Sequence, residues 1–182
     1  MIVLLDANVI YGNRTRDLLM WIGLTPGVEL RWTDLILDEA FEHLARRSGL
    51  DPNKLAKTRR DMCRAIPDAM VTGYEHLIDE MEIGDPDDRH VLAAAVHAQA
   101  EHIVTFDSDF TPSVMQAHLM TAMTPDACVL MVFEAFPGSV QWAFEECWRA
   151  KKNPPWTRVQ ALERFSREFP QSMRALRLHM GL

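Results

Sequence analysis

The chain has 182 residues, a net charge of −7, 48% hydrophobic and 25% charged residues. This is the composition of a folded domain with a sizeable core, and it excludes a collagen-like or low-complexity chain. No apolar run is long enough to span a bilayer, and the opening MIVLLDANVI, with no basic start and with Asp6 interrupting the apolar run, does not read as a signal peptide.

Residues 2–5 (IVLL) form a short apolar run that ends at once in Asp6, the pattern of a buried parallel strand. Helical spacing follows over 14–24. A second strand is expected at 29–33. A helix is expected at 34–47, with Asp34 as N-cap and Glu39 and Glu42 three residues apart on it. Asp51-Pro52 opens a further helix to residue 65, since aspartate caps well and proline suits the first helical position. Residues 69–72 are expected as a third strand. Asp85-Pro86 opens an alanine-rich helix over 85–100, and HIVTF at 102–106 reads as a strand bounded by aspartates. Helices are expected at about 125–135, 139–151, 157–168 and 171–180, with a break at Pro154-Pro155. Alternation of strands and helices argues for an α/β fold with a parallel sheet covered on both faces.

The charge is unevenly spread. Residues 1–64 are nearly neutral, 65–148 hold fifteen acids and one base, Arg89, and 149–182 are basic. In an open parallel sheet, ligands bind beyond the carboxyl ends of the strands. Asp6 and Asp107 lie at such ends, Asp109 follows two residues on, and Asp88 lies in the first turn of a helix that can reach the same edge. Carboxylates gathered without basic partners repel one another, and a hard divalent cation with oxygen ligands relieves the repulsion. Magnesium held there suits phosphodiester hydrolysis. Asp85 reads as an N-cap and Asp87 as a solvated residue in a first helical turn. His90 and His97 read as packing or surface residues, since no cysteine or histidine partner supports zinc. Three widely spaced cysteines support neither a disulfide framework nor a zinc site and fit a cytoplasmic location. A phosphatase with an aspartyl nucleophile is disfavoured, because that class expects D-x-D where this chain has Asp6-Ala7-Asn8.

The ordered set LLDANVI, LDEAFEHL and DPDDRHVLAAAVHAQAEHIVTFDSDF resembles the PIN-domain ribonucleases, and most of all the VapC-type toxins of toxin–antitoxin pairs. The resemblance spans about residues 1–135 and leaves 136–182 as a basic, aromatic-containing helical extension. It implies a three-layer α/β/α fold and metal-dependent RNA cleavage with magnesium or manganese. It places the acids on Asp6, Glu39, Asp88 and Asp107, with Glu42 competing for the second position. Asp6, Asp88, Asp107 and Asp109 would hold metal, and Glu39 would orient or deprotonate the attacking water. Asn8 and Thr105 would support the ligands through hydrogen bonds. It also implies an RNA substrate (tRNA is one candidate), a cognate antitoxin, a homodimer and no membrane. A nuclease without an antitoxin and an inactive binding module are the alternatives. The basic stretch with Arg46, Arg47, Lys57 and Arg60 is a candidate RNA guide. The extension, with Trp142, Trp148, Trp156, Phe165 and Phe169, could hold RNA, cap the core or dock a partner.

Overall fold

A computed structural model describes the chain, apart from the side chains of Arg47 and Ser48. Four short strands, all parallel, form its sheet: β1 (Ile2–Leu5), β2 (Glu29–Arg31), β3 (His102–Val104) and β4 (Thr121–Met123), in the order β2-β1-β3-β4. Val3 of β1 pairs with Leu30 on one side and His102 on the other. Val3, Leu4 and Leu5 are completely buried, so both faces of β1 are covered and no polar alternation is possible there.

The helices are α1 (Ala7–Ile10), α2 (Asn13–Ile22), α3 (Asp34–Ser48), α4 (Pro52–Ala65), α5 (Arg89–His97), α6 (Pro112–Ala117), α7 (Pro125–Ala135), α8 (Pro137–Arg149), α9 (Arg158–Phe165) and α10 (Pro170–His179). They flank the sheet as a PIN-like α/β/α fold requires, and the C-terminal region is helical. From β1 the chain crosses to β2 on one side, and later to β3 on the other. The carboxyl ends of β1 and β3 therefore flank a topological switch point, where open α/β sheets form their binding crevice.

Several expectations are corrected. Residues 69–72 are not a strand. A 3₁₀ turn at Pro67–Ala69 and the left-handed Gly73 leave room for a single bridge, Trp32 to Met70. The expected helix over 85–100 divides into a 3₁₀ turn, Pro86–Asp88, and the shorter α5, and Gln99 turns left-handed soon after its end. Thr33, not Asp34, caps α3, its hydroxyl accepting from Ile36 N at 3.0 Å. The basic stretch 46–64 falls on two helices as expected, with Gly49 at φ +58° between α3 and α4. Asp51 caps α4 as expected. The sequence reading missed α6 and β4.

The C-terminal helices share one apolar core with the sheet: Val140, Phe144, Phe165, Phe169 and Leu176 are buried in the same cluster as Val3 and Leu30. Trp142 of α8 meets Trp21 of α2 edge-on, and the two remaining tryptophans of the region are engaged locally. Trp148 Nε1 donates to Trp156 O at 2.7 Å, Arg158 stacks over Trp148, and Arg164 lies 4.6 Å from the Trp156 ring centre. Arg14 of α2 pairs with Glu168 through both carboxylate oxygens, and Lys151 reaches Asp17 at 2.9 Å.

Asp126 of α7 is buried, and its carboxylate accepts from Gln171 N, Ser172 N and the Ser172 hydroxyl. It thereby caps α10 from another helix. Alanine at 126 would strand these buried donors. Urea unfolding should show a loss of about 2–3 kcal/mol without a change in m.

Candidate metal centre

Asp6 follows β1 directly and starts α1, where its Oδ1 accepts from Ala7 N at 2.6 Å. Its backbone N–H donates to Val104 O, so the β1–β3 ladder continues into the site. Oδ2 accepts from the Thr105 hydroxyl and from Asn8 Nδ2, both at 2.6 Å. Thr105 Oγ1 in turn accepts from Asn8 Nδ2 at 3.0 Å and Asp107 N at 2.9 Å, while Asn8 Oδ1 accepts from Phe106 N at 3.1 Å. The Thr105 hydroxyl thus uses its one donor and two acceptors. Asp6 is only 4% exposed, and burial pushes its carboxyl above the usual range. The hydrogen bonds from Thr105 and Ala7 oppose that push, and Glu39 adds to it.

The other carboxylates converge on this network. Asp107 Oδ1 accepts from Asp109 N at 2.8 Å, folding residues 107–109 into a tight turn. Asp85 caps the 3₁₀ turn through Asp87 N, as the Asp85-Pro86 pair implies, and Asp87 is exposed. Ligand atoms of Asp85, Asp88 and Asp109 lie within 4.8 Å of one another, a group that can hold a metal ion. A Cβ on Gly84 would stand 3.1 Å from Asp109 Oδ2, so the glycine permits this close approach.

Asp88 is the most stressed of these groups. Its Oδ2 is buried and has no hydrogen-bond partner. Its pKa is raised to about 7, first by burial and then by Asp107, Asp6, Asp85 and Asp109. A buried oxygen with no protein donor, facing four other carboxylates, matches the donor set of a hard divalent cation.

Glu39 lies on α3, half-buried, and its Oε1 is 2.9 Å from Nε2 of His90. Glu42 is exposed and pairs with Arg46 at 2.9 Å. Of the two competing glutamates, then, Glu39 stands in the field of Asp6 and Glu42 points to a surface arginine. The sequence reading assigned no role to His90, which is buried and holds Glu39. The available signal was a titratable side chain at the head of the buried run His90–Ala95, two residues from Asp88. Asp85 caps its turn as expected and also stands in the carboxylate group that could hold a metal ion. Tyr11 stacks on His43 at 4.1 Å, and burial together with Asp6 and Glu39 raises its hydroxyl pKa.

Arg59 bonds both Asp34 and Asp38, and Lys57 bonds Asp61 at 2.5 Å. Arg60 is exposed and has no ion pair among the described residues. The Arg47 side chain lies outside the described residues.

Residues 3–109 match a family model described as PIN domain. The match covers more than half of the chain, so the chain belongs to the PIN-domain family, a group of generally metal-dependent nucleases. No curated protein and no solved structure matched it. Among the described residues, no helix is long and apolar enough to cross a membrane.

The raised pKa of Asp88 has a signed consequence for the metal-free protein. Below about pH 4 the group is protonated both folded and unfolded; between about 4 and 7 the folded state alone keeps the proton. Stability from this group is therefore lost as pH rises through that window. Asp88→Asn should raise Tm in EDTA, by more at pH 8 than at pH 4.5, in thermal scans at both values.

Proposed function

We propose that this chain is a metal-dependent endoribonuclease that acts as the toxin of a toxin–antitoxin pair, with its chemistry in residues 1–135. The observation that carries the nuclease reading is the buried, unpartnered Asp88 Oδ2 set among four other carboxylates at the switch point of the sheet. Asp6, Asp88, Asp107 and Asp109 would hold Mg²⁺ or Mn²⁺, with Asp85 added to them by its geometry. When bound, the cation supplies charge stabilisation to the phosphodiester and lowers the pKa of a water.

The chain's own residues do the rest. Thr105 and Asn8 fix the Asp6 carboxylate, leaving little freedom in where its remaining lone pairs point. His90 occupies Oε1 of Glu39, so Oε2 is the oxygen left to orient the attacking water and take its proton. In-line attack at phosphorus with departure of the 3′ oxygen leaves a 5′-phosphate and a 3′-hydroxyl, as in the family's mechanism.

RNA approach would be guided by α3 and α4. Exposed i,i+4 pairs such as Arg46–Glu42 and Lys57–Asp61 are weak in water and screened by salt, too weak to withhold these cations from phosphate. Arg60 is already available. The toxin role, a cognate antitoxin and a homodimer rest on the resemblance of the motifs to VapC-type toxins, and a cytoplasmic site of action on the three unpaired cysteines.

The test is cleavage of a total tRNA pool and of unstructured RNA, with Mg²⁺, Mn²⁺ or EDTA. Cleavage should require the metal, and Asp6→Asn, Asp88→Asn and Glu39→Gln should each lose about 100-fold or more, the scale of a lost charge-stabilising group. Equal cutting by wild type and variants would sink the reading. Expression should arrest growth, relieved by the product of a cotranscribed neighbouring gene. Growth unaffected by an active nuclease would remove the toxin role alone.

A further inference from the structure

Phe106 stands between Thr105 and Asp107, in the segment that carries the carboxylate network, and it is 59% exposed. Its neighbours Val104 and Thr105 are 0% and 3% exposed. The backbone around it is held from both sides, since Phe106 N donates to Asn8 Oδ1 and Asp107 N to Thr105 Oγ1. The ring is outside the core cluster, and no aromatic or guanidinium group stacks on it among the described residues. Tyr11, an aromatic whose hydroxyl feels the charge of Asp6, already has a face committed to His43. The protein thus leaves a large apolar ring in water, on backbone anchored by the same two side chains, Asn8 and Thr105, that position Asp6. Such a ring costs burial wherever it serves nothing. A flat face beside groups that take a phosphodiester suits the unstacked base of a flanking nucleotide, which duplexes do not offer.

We infer that Phe106 is a stacking platform for one unpaired nucleobase next to the scissile phosphate. The inference rests on the nuclease reading above. Phe106 is a substrate-binding residue here and takes no part in proton transfer or metal ligation. Its backbone contacts survive substitution of the side chain, so the carboxylates stay in place.

The experiment uses single-stranded RNA 12-mers, the corresponding duplex, and 12-mers with an abasic site at each position near the mapped cut. Wild type, Phe106→Ala, Phe106→Trp and Asp88→Asn are compared with Mg²⁺ or Mn²⁺. Phe106→Ala should raise KM for the single strand about tenfold, the scale of one base–aromatic stack, and leave kcat within a few-fold. Phe106→Trp should restore KM. One abasic position should erase the difference between wild type and Phe106→Ala, and a 2-aminopurine there should be quenched by wild type bound in Ca²⁺ but not by Phe106→Ala. The duplex should be the poorer substrate. If Phe106→Ala matches wild type on all substrates while Asp88→Asn is dead, the platform is wrong and the nuclease stands. If wild type shows no cutting that Asp88→Asn abolishes, the nuclease reading fails and takes the platform with it.

Discussion

Repulsion among carboxylates that share one edge of a parallel sheet is the constraint around which this molecule is arranged. Five acids surround a point that offers Asp88 Oδ2 no donor. The fold tolerates them by two devices. Asp6, the most buried, is held by a threonine, an asparagine and a backbone amide, which offset part of its burial. Asp88 receives no such help and shifts its proton equilibrium to about 7 instead. The contrast is one of support: one carboxylate is positioned by hydrogen bonds, and the other has an oxygen with no donor.

The sheet topology explains why these acids meet although they lie far apart in the chain. Asp6 and Thr105 are ninety-nine positions apart and joined by a 2.6 Å hydrogen bond. Their strands are neighbours only because the chain departs to β2 on one side and returns to β3 on the other. The crevice, the ladder bond from Asp6 N to Val104 O and the aspartate turn at 107–109 are thus parts of one geometric event.

Much of this was legible in the sequence, for identifiable reasons. The strand IVLL and the Ile103-Val104 pair of the strand HIV are apolar and are followed by polar residues, so the position of both strands could be read. Asp-Pro pairs marked the starts of α4 and of the turn before α5, because capping is a local property. β4 was invisible: three residues, Thr-Ala-Met, carry no periodicity, and only pairing with β3 makes them a strand. The 69–72 segment failed in the opposite sense, having strand-like residues but too little length between its turns. At the site, Glu39 and Glu42 could not be separated by spacing, since both lie on α3. What separates them is tertiary, a buried histidine from α5 on one and a surface arginine on the other. His90 itself looked like packing because its partner is fifty-one residues away.

The shared core has a consequence for how the chain comes into being. A ribosome delivers the whole acidic set by Asp109, yet α7 waits for α10 to complete its cover and to receive the cap from Asp126. Arg14 of α2, close behind Asp6 in sequence, likewise waits for Glu168. The packing that completes the fold around the acids therefore forms only after α9 and α10 have left the exit tunnel, well after the acids themselves.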